Sequence, residues 1–222
     1  MRHGVIFDLD GTLVDTNYLH VVAWWEGFRR RGHDVLMVDI HGAIGRADRA
    51  LIDYLLPSVS DEDAQAISDT HAALYKPRLD EVRPVRGSGE LMRRLSDAGL
   101  RVVVSTSAHK DDAERLIGIT GAEDAVTAVV HAQDVEHSKP DPEPVRHALD
   151  KAGVSADQAV FVGDSVWDAL AARGAGVECV ALRSGGIDTG SLTDAGARAV
   201  YKDCAELLQH LDQSPLARLL TG

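Results

Sequence analysis

Short β-branched runs alternate along this chain with segments of helical period, and a single long break in that rhythm constrains the architecture most. Residues 4–7 read as a buried strand that ends at Asp8, and further strands are expected at 100–104, 126–130, 159–162 and 178–182. Leu91, Met92, Leu95 and Ala98 share one face of the helix before the second strand, and Gly99 follows as its C′ residue. Asp141 and Pro142 stand where an N-cap and a first helical residue belong, ahead of the fourth strand. Such alternation implies an α/β fold: a Rossmann-like, doubly wound parallel sheet covered by helices on both faces.

From residue 16 to residue 84 no strand pattern occurs. One helix carries Leu19, Val22, Ala23 and Phe28 and ends near Gly32, and others are expected over 46–56 and 61–75. A crossover this long exceeds one strand–helix–strand connection, so residues 16–84 are expected to form an inserted helical domain. Residues 1–15 and 85–222 then make the α/β core. Asp203 before Glu206 predicts a capping box on a terminal helix containing Leu207, Leu208 and Leu211.

A net charge of −12 argues against nucleic acid or an anionic membrane as partner, since both require a basic footprint. It leaves room for a small anionic substrate, because a metal ion and a few cations can reverse the field inside one cleft. No apolar stretch reaches the length of a membrane span, and no basic-then-apolar leader precedes the first strand. Cys179 and Cys204 have neither metal-ligand nor redox-pair spacing, and the cytoplasm is the expected compartment.

In an open parallel sheet ligands bind beyond the carboxyl ends of the strands. The first strand delivers Asp8-Leu9-Asp10-Gly11-Thr12 to that edge, the second Ser105-Thr106-Ser107, and the fourth Gly163-Asp164-Ser165 with Asp168 four residues on. Lys139-Pro140 lies between the third strand and the following helix. Carboxylates from two strands, Asp8 and Asp164, can share a magnesium ion, which prefers oxygen ligands. A carboxylate is also a competent nucleophile toward phosphorus, and Asp10, two residues on, is placed for proton transfer to a leaving group. Ser105 and Lys139 would stabilise the transferring phosphoryl oxygens.

Together these segments resemble the haloacid dehalogenase superfamily over essentially the whole chain. Asp8 to Thr16 is similar to its first motif, Ser105 to its second, Lys139-Pro140 to its third, and Gly163 to Asp168 to its fourth. The resemblance implies Asp8 as nucleophile and metal ligand, and Asp10 as acid/base that also gives its backbone carbonyl to Mg2+. It implies Asp164 as the third protein ligand and Asp168 acting through a metal-bound water. The inserted helices correspond to the cap of the phosphoglycolate phosphatase and β-phosphoglucomutase-like branch. A carboxylate at Asp10, which dehalogenase members lack, points to phosphate chemistry.

The expected activity is hydrolysis of a small phosphorylated metabolite by a monomer or small homo-oligomer. A β-phosphoglucomutase-like activity, to which Arg46, His20 and Lys76 could contribute, and a non-catalytic module on the same scaffold are the alternatives. His20 and Arg46, with Thr106 and Ser107, are the candidate substrate contacts. The same segments have plainer readings: Asp164 and Asp168 as helix-capping acids, and Arg29-Arg30-Arg31 as a solvated helix end. Gly174-Ala175-Gly176 lacks the third glycine of a dinucleotide fingerprint, and the ten histidines form no metal-spaced cluster.

Overall fold

The computed structural model describes residues 2–220. Its first strand, β1 (Gly4–Phe7), is buried along its whole length because it lies in the middle of the sheet. The insertion follows: α1 (Asn17–Arg30), α2 (Met37–Ala43), α3 (Asp48–Leu55) and α4 (Asp61–Tyr75). The core resumes with α5 (Ser88–Asp97), β2 (Arg101–Ser105), α6 (Lys110–Ile119), β3 (Ala128–Val130) and α7 (Glu143–Ala152). It closes with β4 (Ala159–Gly163), α8 (Val166–Gly174), β5 (Glu178–Leu182), α9 (Thr189–Ala195), β6 (Ala197–Tyr201), α10 (Cys204–Gln209) and α11 (Ala217–Leu220).

The six strands are parallel in the order β3-β2-β1-β4-β5-β6, so the sheet is the expected doubly wound α/β arrangement. Alternate residues go to opposite faces. Val5, Phe7, Val102, Val104, Val160 and Val162 pack beneath α5, α6 and α10, while Ile6, Val103 and Phe161 pack beneath α7 and α8. The chain crosses to opposite sides of β1 at β2 and β4, which opens a crevice beyond their carboxyl ends.

The insertion has an apolar cluster of its own, with Val21, Trp24, Phe28, Ile40, Leu51 and Ile67 buried together. Two connecting segments tie it to the core side by side. Asp15 N donates to Arg83 O and Val85 N to Leu13 O, each at 2.9 Å.

Several local expectations need correction. β6 was not anticipated, since the run Ala197–Tyr201 carries an arginine and lies half-exposed at the sheet edge. The third strand is only Ala128–Val130, although Thr127 N still reaches Val102 O at 2.7 Å. Val22 is 44% exposed; Val21, Trp24 and Phe28 form the buried face of α1. α2 was missed because Leu36, Met37 and Val38 are apolar yet exposed, which hides its period.

α7 starts one residue later than expected, with Pro142 at the N-cap and the Asp141 carboxylate accepting from Glu143 N at 2.9 Å. At α10 half of the predicted box forms: Asp203 accepts from Glu206 N, while the Glu206 carboxylate turns to Lys202 N instead of the cap amide. Among the described residues no helix is long and apolar enough to cross a membrane.

Candidate active site

β1 ends by delivering Asp8, whose amide donates to Val162 O of β4 at 2.9 Å. The chain then turns tightly. Leu9 O accepts from Leu13 N and Val14 N at 2.8 and 3.1 Å, and this holds Asp10 beyond the strand end. Gly11 sits at the turn with φ +76°, and a side chain there would collide with Asp164 and Asn17. Gly185, in the loop after β5, leaves space for Asp164 in the same way. Glycine at these positions lets three separate chain segments converge on one point.

Asp8, Lys139, Asp164 and Asp168 are all buried there. Lys139 Nζ donates to Asp8 Oδ1 at 2.5 Å and to Asp168 Oδ1 at 2.7 Å. The other Asp168 oxygen accepts from the amides of Asp164 and Ser165 at 3.2 and 3.0 Å and from Ser165 Oγ at 2.7 Å. Ser165, rather than Asp164, is therefore the N-cap of α8, in a reciprocal box with Asp168. Asp168 thus holds the lysine with one oxygen and the start of α8 with the other.

Asp164 receives Thr12 Oγ1 at 2.7 Å on Oδ1 and Asn17 Nδ2 at 2.9 Å on Oδ2, both neutral donors. Burial, with Asp168 nearby, pushes its carboxyl up to about 7. Burial likewise holds Asp8 well above the usual carboxylate range; Lys139 pulls it down, and Asp168 and Asp164 push it up again. The lysine is held charged: burial works against it, but Asp168 and Asp8 together raise it.

One oxygen from each of Asp8, Asp164 and Asp168 lies within 4.8 Å of the others. Among the described residues three buried acids face a single ammonium, so Asp164 has no cationic partner of its own there. A hard divalent cation fits that deficit, and oxygen donors are what Mg2+ takes. The backbone carbonyl of Asp10 accepts no hydrogen bond among the described residues.

Asp10 is held differently. Thr16 Oγ1 donates to its Oδ1 at 2.6 Å and His20 Nε2 lies 3.3 Å from the same oxygen, which leaves Oδ2 without a partner among the described residues. Burial opposes its ionisation, but the hydrogen bond and charge of His20, with the bond from Thr16, lower its carboxyl overall. Thr16 occupies the N-cap of α1 and makes no capping bond with its side chain, a sacrifice worth about 1 kcal/mol of helix stability. His20 Nδ1 in turn meets His71 Nε2 at 2.9 Å. His71 stacks on Trp24 at 3.9 Å between centroids, and burial followed by the proximity of His20 keeps its ring neutral.

Ser105 ends β2 in register beside Asp8, on the same face of the sheet. It shares the sheet face of Val103, is fully buried, and its hydroxyl turns to Pro144 O of α7 at 3.5 Å. Thr106 follows just past the strand; its amide donates to Val130 O and its Oγ1 accepts from Ala108 N, both at 3.0 Å.

Two cavities flank the group, of about 270 and 520 Å3. Asp8, Asp10, His20 and Lys76 line the first, Thr106 and Lys139 the second, and Arg46 and Ser107 both. The expected site residues thus gather at the strand ends, with His20, Arg46, Thr106 and Ser107 in the cavity walls and Ser105 buried beside Asp8. Thr12, Thr16, Asn17 and His71 were not anticipated. Thr16 and Asn17 look like any polar helix start, and His71 pairs with His20 across 51 positions of sequence with no periodic signal.

The family model of haloacid dehalogenase-like hydrolases matches residues 5–182. The chain belongs to that family. It is an enzyme of the hydrolase type, and two curated relatives show the range of esters its kin act on. A phosphoglycolate phosphatase of Cupriavidus necator is 33% identical over 220 residues, covering 96% of this chain and 94% of that protein. A validoxylamine A 7'-phosphate phosphatase of Streptomyces hygroscopicus subsp. limoneus is 30% identical over 178 residues, covering 80% and 84%. Among solved structures, a hydrolase from Pseudomonas syringae has a TM-score of 0.90 at 35% identity, covering 96% of this chain and 99% of that one. The haloacid dehalogenase-like core thus carries phosphatases with unlike leaving groups.

Proposed function

We propose that this protein is a Mg2+-dependent phosphatase of small phosphate monoesters that works through an aspartyl-phosphate on Asp8. One observation carries the reading: Asp8 and Asp10, at the same strand end, each have one oxygen held and the other without a partner among the described residues. Lys139 fixes Asp8 Oδ1, so Oδ2 is the oxygen that attacks phosphorus. Thr16 and His20 fix Asp10 Oδ1, so Oδ2 handles the proton.

In the first step the Asp8–phosphorus bond forms as the ester P–O bond breaks, and protonated Asp10 delivers its proton to the departing oxygen. In the second, water adds to phosphorus, Asp10 takes its proton, and the bond from Asp8 to phosphorus breaks. Asp10 begins the second step as the carboxylate that His20 and Thr16 favour. Asp8, Asp164 and the Asp10 carbonyl would hold Mg2+, with Asp168 contributing through its grip on Lys139. When bound, the ion supplies positive charge that draws the phosphate in and offsets charge on its oxygens.

Lys139 and Ser105 would stabilise the transferring phosphoryl group, with Thr106 and Ser107 beside them as substrate contacts. The helical insertion acts as a cap over the strand ends, excluding bulk water during phosphoryl transfer. Arg46 stands in the wall shared by both cavities, which supports contact with the part of the substrate beyond its phosphate. Both cysteines are buried and free, consistent with the cytoplasmic setting we propose. The test is phosphate release across a panel of small phosphate esters with and without Mg2+. The wild type should turn over at least one ester only with the metal, and folded Asp8→Asn should turn over none. Metal-independent release, or steady turnover by Asp8→Asn, contradicts the proposal.

A further inference from the structure

Trp167 lies on α8, three residues beyond Asp164, yet its side chain reaches residues of the insertion. Its Nε1–H donates to Gly42 O of α2 at 3.0 Å. Its ring faces the Arg46 guanidinium, with Cζ 3.8 Å from the centroid. Tyr54 of α3 meets it edge-on, with centroids 5.4 Å apart at 74°, and covers the same guanidinium at 4.4 Å. Gly45 permits the close approach: with φ +104°, a Cβ there would stand 2.8 Å from Ser165 Oγ and 3.2 Å from Trp167 Cδ1.

Arg46 is held by two aromatic rings, and its Nε is the one arginine nitrogen left buried without a partner among the described residues. Among the described residues no carboxylate lies within ion-pair distance of it. Burial lowers the guanidinium from its ordinary value. Two aromatic faces hold it instead of an acid, so its hydrogen-bonding edge stays directed to the cleft. Lifting the insertion from the core would separate Arg46 from Trp167 and break the Gly42 bond in one movement. The contact between Arg46 and Tyr54 lies within the insertion and would survive.

We propose that Trp167 is a positioning residue: its ring seats Arg46 over the cleft, and its N–H fastens the closed cap that carries Arg46. The inference rests on reading the insertion as a cap over a phosphatase site. It assigns two separable jobs to one side chain, since W167F keeps a ring and loses the N–H, whereas W167L loses both.

The experiment uses the full-length protein with Mg2+, comparing wild type, W167F, W167L, R46M and the W167L/R46M double variant. Phosphoglycolate is the probe with a second anionic group, measured by KM or, if it is not turned over, as an inhibitor of nitrophenyl phosphate hydrolysis. W167L should weaken phosphoglycolate roughly tenfold, as loss of a partly desolvated cation–π seat implies, with W167F within about threefold of wild type. Adding W167L to R46M should cost less than about twofold more, because the ring then has no guanidinium to seat. Without substrate, amide hydrogen exchange across residues 37–55 should be faster in W167F and faster still in W167L.

Losses that multiply in the double variant, or unchanged exchange in both W167F and W167L, overturn the proposal. If W167L does not fold, the exchange of W167F and its phosphoglycolate affinity still decide between the two jobs and plain packing. A wild type that releases phosphate from no ester would refute the phosphatase reading alone, since the exchange measurement stands without turnover.

Discussion

Asp164 should cost the metal-free protein stability, and Asp164→Asn should return it. The carboxylate is buried, receives only neutral donors, and has its pKa pushed from 3.8 to about 7 by burial and Asp168. The unfolded chain therefore gives up this proton first as pH rises. The penalty begins near pH 4, grows through the window between the two values, and is complete above pH 7. At 1.36 kcal/mol per pH unit, a rise of about three units corresponds to an upper bound of about 4 kcal/mol at pH 8. The amide introduced by Asp164→Asn keeps the volume and an acceptor for Thr12. Asn17 Oδ1, buried without a partner, can turn to accept from its NH2. With about 2–4 °C per kcal/mol for a chain of this size, metal-free Asp164→Asn should melt up to about 8–16 °C above wild type at pH 8 and with it at pH 4. The assay is thermal melting with chelator from pH 4 to 8, repeated with Mg2+, which should raise the wild-type Tm and not the variant's. A variant that melts at or below wild type at pH 8, or a difference independent of pH, would refute the picture of an uncompensated buried charge.

Three further changes probe other parts of the site. Lys139→Met leaves Asp8 and Asp168 without their shared cation and should cost about 3–5 kcal/mol at pH 8 in chemical denaturation of metal-free protein; a neutral effect would contradict the pairing. Asp10→Asn should slow alkyl phosphates by about 10²–10⁴-fold in the first step, and nitrophenyl phosphate much less, since that leaving group needs little protonation. Rapid-quench kinetics should then show a nitrophenol burst, and equal first-step losses on both esters would remove Asp10 from the proton-transfer role. Gly185→Ala places a methyl group against the Asp164 carboxylate and should weaken Mg2+ binding in calorimetry while destabilising the fold by about 1–3 kcal/mol. Wild-type affinity in that variant would show that Asp164 has room to spare.

The core sheet was readable because buried parallel strands such as Val102–Val104 leave continuous β-branched runs that neighbouring helices must cover. β6 left no such run, since an edge strand needs only one buried neighbour and tolerates Arg198. The reacting acids were readable for a different reason. Strand ends in an open sheet converge on one edge, so Asp8, Asp10 and Asp164 are brought together by topology alone. Ser105 was readable in the same way: β2 ends on it, and the parallel register of β1 and β2 carries it to the place beside Asp8. His71, Trp167 and Asn17 act through contacts between the insertion and the core, or across the insertion itself. Such contacts depend on how two helices happen to meet and leave no period in the sequence.

The central claim is that the phosphoryl group passes through Asp8. The direct measurement is rapid acid quench of Asp10→Asn during reaction with nitrophenyl phosphate, followed by intact mass and peptide mapping of the trapped protein. With Asp10 unable to activate water, the second step stalls and the phosphorylated protein accumulates. The account predicts one added phosphoryl group per chain, located in the peptide containing Asp8 and absent from the Asp8→Asn/Asp10→Asn double variant. A nitrophenol burst with no added mass, or a phosphoryl group mapped to any other residue, would contradict it.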